Sequence, residues 1–540
     1  MNVPTSAAAG PKPAACATTG SVDFGVDLAG DGWKFTTGDD PTWSDPAFAD
    51  TAWRDWTVPD NWGAHTDLSA YDGFAWYRKT FTLPARPDGV TDSAVVAALG
   101  KIDDADQAFL NGQPIGRTGG FPPEFDSTWE VPREYYPADG LLKWGATNVI
   151  AVRVYDGTGG GGFYQGPVGL YSKARLRALA GEAGSAATRT QLAHVCAVLD
   201  RQHRAVAAGD VRGYAATLDK GFFHQGDTAA RRVGDLRDLL KAGPVTLTDT
   251  QAEVYVDSRG RLVVDTIRTW TGLPPTRELL HLDPRRPVEL GDQSRFFRDD
   301  YASAAMGRRA QFNVYLPKDY TRAGKRFPVV YMLNGFNGSN IEWEARDIDA
   351  VLDGLGVEAI VVFPDGGSGW YVDTSAGKYR TMIVDEIVPL VDRAYRTIAD
   401  RDHRGISGVS MGGQGAFTLG LTNPGVFSSI ASHMGALSLP PLVGTPAEQA
   451  ANAGLRPLTL VAGMSAADLS RHRFYFDGGD SDEYRFGAAA QQMSTALAAK
   501  GVRHDYQLGA GRHDDAYWMP KLDRSFALHA EQFAAHPTRQ

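Results

Sequence analysis

The feature that most constrains this chain is the run Gly408-Val-Ser410-Met-Gly412 and what flanks it. Before it, His403–Ser407 reads as a short strand. After it, Gly413-Gln-Gly415-Ala-Phe-Thr-Leu-Gly-Leu421 reads as a helix of small residues. Glycines two positions either side of a serine let a strand turn directly into a helix with the serine at the apex. They leave room for the tight turn and for strand and helix to approach closely. Glycine is abundant here, at 61 of 540 residues, so the five-residue pattern alone carries little weight. Its setting carries the weight, and it demands a layered sheet-and-helix domain.

The surrounding sequence agrees. From about 301 to 537, strands and helices alternate. Phe327–Leu333 and Glu358–Phe363 are continuous apolar runs, as expected of strands buried on both faces of a parallel sheet. Thr381–Arg396 places Ile383, Ile387, Leu390 and Val391 at helical spacing. The reading is an α/β-hydrolase domain with a mostly parallel sheet.

A serine at such a turn is a nucleophile only with a base beside it and a carboxylate to orient the base. In this fold the order along the chain is serine, acid, histidine. His433 precedes any acid loop and His472 opens a strand. His504 lies in a strand, His529 on a terminal helix and His536 in the tail. His513 sits in Gly509-Ala-Gly-Arg-His513-Asp, a loop just after a strand, and is the expected base. The acid belongs in Asp477-Gly-Gly-Asp480-Ser-Asp482-Glu483, where four carboxylates crowd and spacing does not choose among them. Their spacing matches no calcium loop, so no metal is expected.

Four segments together resemble the esterase D family: Gln311-Phe-Asn-Val-Tyr-Leu-Pro317, Val329-Val-Tyr-Met-Leu-Asn-Gly335, Gly408-Val-Ser-Met-Gly-Gly413 and Gly511-Arg-His-Asp-Asp-Ala-Tyr-Trp518. That family includes feruloyl and acetylxylan esterases, S-formylglutathione hydrolase, enterochelin esterases and mycolyltransferases. Its acid usually closes a G-x-x-D turn, which implies Asp482, with Asp480 as runner-up. The resemblance also implies an oxyanion hole built from the amides of Met411 and Phe336. The family often has His where this chain has Asn334, but a main-chain donor survives that change. Trp343, Trp370, Tyr371 and Trp518 are candidates to line the substrate cleft, and Asp373 is a cap. No cofactor is implied.

The first 300 residues differ in texture. Residues 1–21 are an Ala/Pro/Gly/Thr-rich tail without the apolar core of a signal peptide; they resemble the tether after a cleaved one, so the expectation is a secreted or extracytoplasmic protein, with a cytosolic protein as the alternative. Residues 22–176 carry short alternating runs with turns between them, an all-β sandwich. Trp53-Arg-Asp-Trp56-Thr-Val58, Trp62, Trp76-Tyr-Arg-Lys-Thr-Phe81 and Ala108-Phe-Leu-Asn-Gly-Gln-Pro-Ile-Gly116, leading to Asn148-Val-Ile-Ala-Val-Arg-Val154, resemble the jelly-roll, galactose-binding-like domain of family 2 glycosidases. Its tryptophans fall on strand spacing and read as core. Residues 184–300 pass from helical spacing (Leu192, Val195, Leu199) to long strand-like runs, an α+β pattern that resembles the cone-shaped nuclear transport factor 2 and SnoaL-like domains. The two cysteines, Cys16 and Cys196, read as unpaired thiols.

A net charge of −10 argues against nucleic acid, and no apolar run approaches the ~20 residues that span a bilayer. The expected function is hydrolysis of a carboxylic ester, an acyl ester (feruloyl, acetyl or similar) of a carbohydrate, with glycan contact by the N-terminal jelly roll. Two alternatives stand beside it: an acyltransferase of the mycolyltransferase kind using the same triad, and a non-catalytic glycan-binding scaffold.

Overall fold

The computed structural model describes residues 23–537, apart from 89, 91, 123, 124, 126, 158, 159, 182, 183, 274, 275, 323 and 376. The expected tail, 1–21, lies outside them. The chain divides into two compact units, one ending at Ser294 and one beginning at Arg295.

The N-terminal unit opens with two antiparallel sheets of four and six strands. Val95–Asp103 and Gly162–Ser172 lead one; Gly73–Thr82 and Thr147–Asp156 lead the other. Their inward residues share one core, in which Trp33, Phe35, Trp56, Trp62, Tyr77 and Phe163 are buried. Trp53 instead packs against Trp43 and Phe48, outside that core. The rest of the unit is α+β. A helix over Arg189–Ala207, started by a Thr188/Gln191 capping box, lays Val195, Val198 and Leu199 on an antiparallel sheet of Leu247–Val256, Leu262–Trp270 and Thr276–Leu282. A register shift between Thr250 and Glu253 breaks the ladder, as a bulge that bends a strand does. A second long helix, Ala229–Ala242, escaped the sequence pattern. Cys196 is disulfide-bonded, so the expectation of unpaired thiols fails for it; Cys16 lies outside the described residues.

The C-terminal unit is built on one eight-stranded sheet. Its strands are β1 (Phe296–Ser303), β2 (Arg308–Tyr315), β3 (Val329–Leu333), β4 (Ile360–Pro364), β5 (Arg404–Gly408), β6 (Ser429–Ser432), β7 (Arg473–Gly479) and β8 (Asp505–Gly509). They lie in the order β1-β2-β4-β3-β5-β6-β7-β8. β1 and β2 run antiparallel, and β3 to β8 are parallel. β1 corrects the expected boundary at 301, because its backbone completes this sheet's edge beside β2. β3 and β4 are buried at every residue, as their unbroken apolar runs require. The helical stretch after Tyr379 carries a π-type turn over Met382–Ile387, just before Pro389. Proline has no N–H to donate to the carbonyl one turn back, so the helix widens there.

Three helices frame the site: α1 (Met411–Thr422), α2 (Phe486–Ala499) and α3 (Leu522–Ala534). α1 is buried from Met411 to Leu421 because its glycines let it press against the sheet. A Cβ on Gly412 would lie 2.2 Å from the Leu333 carbonyl oxygen, and one on Gly420 2.4 Å from Ile430.

Candidate active site

Ser410 ends the turn between β5 and α1 with φ 56° and ψ −115°. A residue with a side chain avoids that region, at a typical cost of about 1–3 kcal/mol, and keeps it only when the surroundings dictate it. They do here. The Ser410 N–H donates to the His433 carbonyl at 2.9 Å, and the Val409 N–H to Leu333 at 3.1 Å. The Ser410 carbonyl accepts from Ala436 and Gln414, each at 3.1 Å. A Cβ on Gly408 would sit 2.2 Å from the Gly412 carbonyl oxygen, so both flanking glycines are obligatory.

The four crowded carboxylates separate into four jobs. Asp482 Oδ2 lies 2.8 Å from His513 Nδ1, and its Oδ1 accepts the Tyr484 N–H at 2.8 Å. Asp480 turns away and accepts from Ser481 Oγ and the Gly511 amide, which pins the loop. Glu483 accepts the His513 N–H at 3.2 Å and is held below its usual pKa by backbone amides, its own first and that of His513 next. Asp477 lies deeper, with Oδ2 2.7 Å from His433 Nδ1.

His513 Nε2 stands 2.9 Å from Ser410 Oγ. With its Nδ1–H given to the carboxylate, the ring's other nitrogen is left to accept the serine proton. The Asp482 side chain is fully buried and that of His513 only 13% exposed. The imidazole is bracketed edge-to-face by Tyr484 and Phe486, with centroids at 4.9 and 5.3 Å.

The loop after β3 lies over the serine: a Cβ on Gly335 would be 3.7 Å from that of Ser410. Buried Asn334 staples this loop. Its Nδ2 donates to the carbonyls of Gly335 and Gly338, both at 2.8 Å, and its Oδ1 accepts the Gly366 N–H at 2.9 Å. An amide does here what a single-donor side chain would not, because two carbonyls and an N–H need partners. Met411 is the first residue of α1, so its N–H has no acceptor within the helix.

The aromatic candidates divide. Trp343 and Trp518 are 0% and 1% exposed and meet edge-to-face in the core, so they correct the expectation of a cleft lining. Tyr371 is also fully buried. Its hydroxyl donates to the Asn334 carbonyl at 2.8 Å, and its ring fills the space left open by Gly366 and Gly415. Trp370 is itself buried, against the expectation of a cleft lining, and stands beside the exposed Phe336, centroids 6.4 Å apart. Asp373 caps Thr381 through both its amide and its hydroxyl.

Sequence reasoning missed two supports. His433 was set aside as a base, yet its carbonyl holds the Ser410 amide. Tyr484 is 64% exposed beside the imidazole, and only its position two residues after Asp482 could have flagged it. A cavity of about 630 Å³, lined by Phe327, Leu355, Phe526, His529 and Phe533 among others, opens at the N-terminal ends of β3 and β4, opposite the Ser410 end. Among the described residues, Asp103, Asp104 and Asp156 of the N-terminal unit bring carboxylate oxygens within 4.8 Å of one another. Burial, then Asp104, pushes the Asp103 carboxyl up to about 9, so that proton relieves the repulsion.

Comparison with known proteins places residues 303–529 in the Esterase family model. Esterase Rv1288 of Mycobacterium tuberculosis is 34% identical over 146 residues, 26% of this chain and 32% of that protein. The endo-1,4-beta-xylanase/feruloyl esterase of Xylanibacter ruminicola is 29% identical over 140 residues, 23% of this chain and 19% of that protein. The chain thus spans a third or less of these relatives. A solved ferulic acid esterase covers 44% of this chain and 97% of its own, at 26% identity and a TM-score of 0.41.

Proposed function

Given that the C-terminal unit carries the esterase family's sequence, we propose that the chain is a serine carboxylesterase that cleaves an acyl ester of a carbohydrate. The observation that carries the reading is the unbroken run of hydrogen bonds from Asp482 through His513 to Ser410 on a strained turn.

Ser410 Oγ attacks the acyl carbon while His513 Nε2 takes its proton, and the carbonyl π pair moves onto oxygen. The amides of Met411 and Phe336 receive that oxyanion. Asp482 stabilises the imidazolium without taking the proton. The oxyanion collapses, the bond to the alcohol oxygen breaks, and the alcohol leaves with the proton from Nε2. Water then repeats the sequence on the acyl-enzyme, releasing the acid and restoring Ser410. No step needs a metal or an organic cofactor.

The carbohydrate half of the reading draws on the relative named for both xylanase and feruloyl esterase activity, and on the N-terminal sandwich, for which we propose glycan contact. A disulfide at Cys196 fits an oxidising, extracytoplasmic setting. No helix among the described residues is long and apolar enough to cross a membrane. A panel of feruloyl, acetyl and short-chain aryl esters tests the reading, with a burst of alcohol expected at the first turnover. A panel that gives no turnover, with no fluorophosphonate adduct on Ser410, would sink it. Supplying a sugar acceptor separates hydrolysis from acyl transfer, because a transferase gives a new ester in place of the free acid.

A further inference from the structure

We infer that the exposed ring of Tyr484 is the subsite for the alcohol half of the ester, and that its occupant is a sugar ring. The inference rests on the catalytic reading above and deepens it. The stereochemistry of the reaction sets the direction. The acyl oxygen must lie at the Met411 and Phe336 amides, and the leaving oxygen must lie at His513 Nε2, which protonates it. The alcohol half therefore projects on the imidazole side of the site.

The two side chains flanking that imidazole are Phe486, which is 7% exposed, and Tyr484, which is 64% exposed. Of these two, Tyr484 is the one with a face to offer. Its placement is fixed from both ends: its N–H is held by Asp482 Oδ1, and its ring stacks on Phe486 at 5.6 Å. A large aromatic held this firmly and left facing water is prepared for a partner. Polar groups stand on the same loops. Arg512 and Glu483, 71% and 44% exposed, meet at 3.5 Å, and Glu483 also accepts the His513 N–H. An apolar ring face beside a carboxylate and a guanidinium matches a molecule with a C–H face and a rim of hydroxyls, which is a pyranose or furanose. A methyl alcohol would use neither the rim nor the ring, and a simple aryl alcohol would use the ring without the rim.

The experiment uses the full chain and two esters of one acid: methyl ferulate and feruloyl-arabinose, or the matching acetyl pair if acetyl is the group cleaved. The quantity read is the ratio of kcat/KM for the sugar ester to that for the methyl ester. The wild type favours the sugar ester. Tyr484→Ala lowers the ratio about ten-fold, mostly through KM, the scale of one such aromatic contact. Tyr484→Phe, which keeps the ring, holds the ratio within about two-fold of the wild type. Thermal unfolding of both variants checks that they fold. If Tyr484→Ala slows both esters equally, the ring serves only to bracket His513 and the proposal is overturned. A wild type without preference for the sugar ester overturns it too, while its methyl-ester turnover leaves the catalytic reading standing. A wild type that cleaves neither ester of either acid, and takes no fluorophosphonate on Ser410, removes the catalytic reading, and this one with it.

Discussion

The C-terminal unit holds two serine–histidine–aspartate networks with nearly the same distances. In one, Ser410 and Asp482 lie 2.9 and 2.8 Å from His513. In the other, Ser525 and Asp477 lie 2.9 and 2.7 Å from His433. Their surroundings differ completely. Ser410 sits on a left-handed turn at the head of α1, with the loop after β3 lying over it. Ser525 is an ordinary residue inside α3, fully buried, and its hydroxyl donates to the Leu522 carbonyl. His433 and Asp477 are fully buried as well. Residue types and hydrogen bonds do not make a nucleophile. Access, and a backbone that aims the oxygen, make the difference. The second network works as a strut: Asp477 takes the Met434 N–H and the His433 ring, and the His433 carbonyl holds the Ser410 amide.

The two networks should part most sharply at their serines. Ser410→Ala should lower kcat on the order of 10⁶-fold, the scale of triad loss in a well-studied serine hydrolase. Ser525→Ala should leave kcat within a few-fold and lower stability by about 1–2 kcal/mol, read by urea unfolding. A fluorophosphonate should modify Ser410 alone, as peptide mass spectrometry would show; an adduct on Ser525 would end the distinction. The acids come next. Asp482→Asn should cost about 10⁴-fold in kcat with little change in unfolding, by the loss of the imidazole's orienting partner. Asp477→Ala should do the reverse: about 3–5 kcal/mol of stability, because a buried histidine loses its carboxylate, and less than about ten-fold in kcat. Equal kinetic losses for the two acids would make the strut a second catalytic group. Asn334→Ala tests the staple over the site. If the loop it holds supplies an oxyanion donor, kcat should fall by about 10²–10³-fold with KM little changed; a loss confined to KM would move the donor elsewhere.

The triad network was largely legible in the sequence because its demands are local. A turn that only glycines permit marks Ser410, and a loop after a strand marks His513. The choice of Asp482 leaned on a family pattern; among four carboxylates only the folded loop separates the one that meets the imidazole from those that pin turns. The strut was not legible. His433, Asp477 and Ser525 come from β6, β7 and α3, and nothing in their neighbours announces that the sheet brings them together. Burial misled in the same way: Trp343 and Trp518 look like cleft aromatics because tryptophan is common in both settings, and only the packing of 343 against 518 decides. Tyr484 was hidden for the opposite reason, since an exposed tyrosine in a turn has no periodicity to betray it. In the N-terminal unit the strand alternation was plain, while the helix over Ala229–Ala242 was hidden by its charged face, with only Val233 and Leu236 buried.

Another buried histidine gives the smallest effect and the finest test of what burial does to this residue type. His529 of α3 lies between Ser407 of β5 and Ser429 of β6, with Nε2 and Nδ1 at 2.9 and 2.7 Å from their hydroxyls. It has hydroxyl partners where His433 has a carboxylate. Burial, aided by His433, pushes its pKa down to about 3 from 6.5. Between those values the unfolded chain binds a proton at this site that the folded chain refuses. Stability from this group is therefore full above pH 6.5 and falls as pH drops toward 3, by about 1.4 kcal/mol per unit. Other groups titrate in the same window, so the informative quantity is the difference between two proteins. His529→Gln keeps a donor and an acceptor for the two serines and removes the titration. Its urea-unfolding free energy should fall less steeply than the wild type's between pH 6.5 and 4.5. Parallel curves would mean that water reaches His529 in the folded protein, and that hydroxyls in place of a carboxylate do not keep an imidazole neutral at this position.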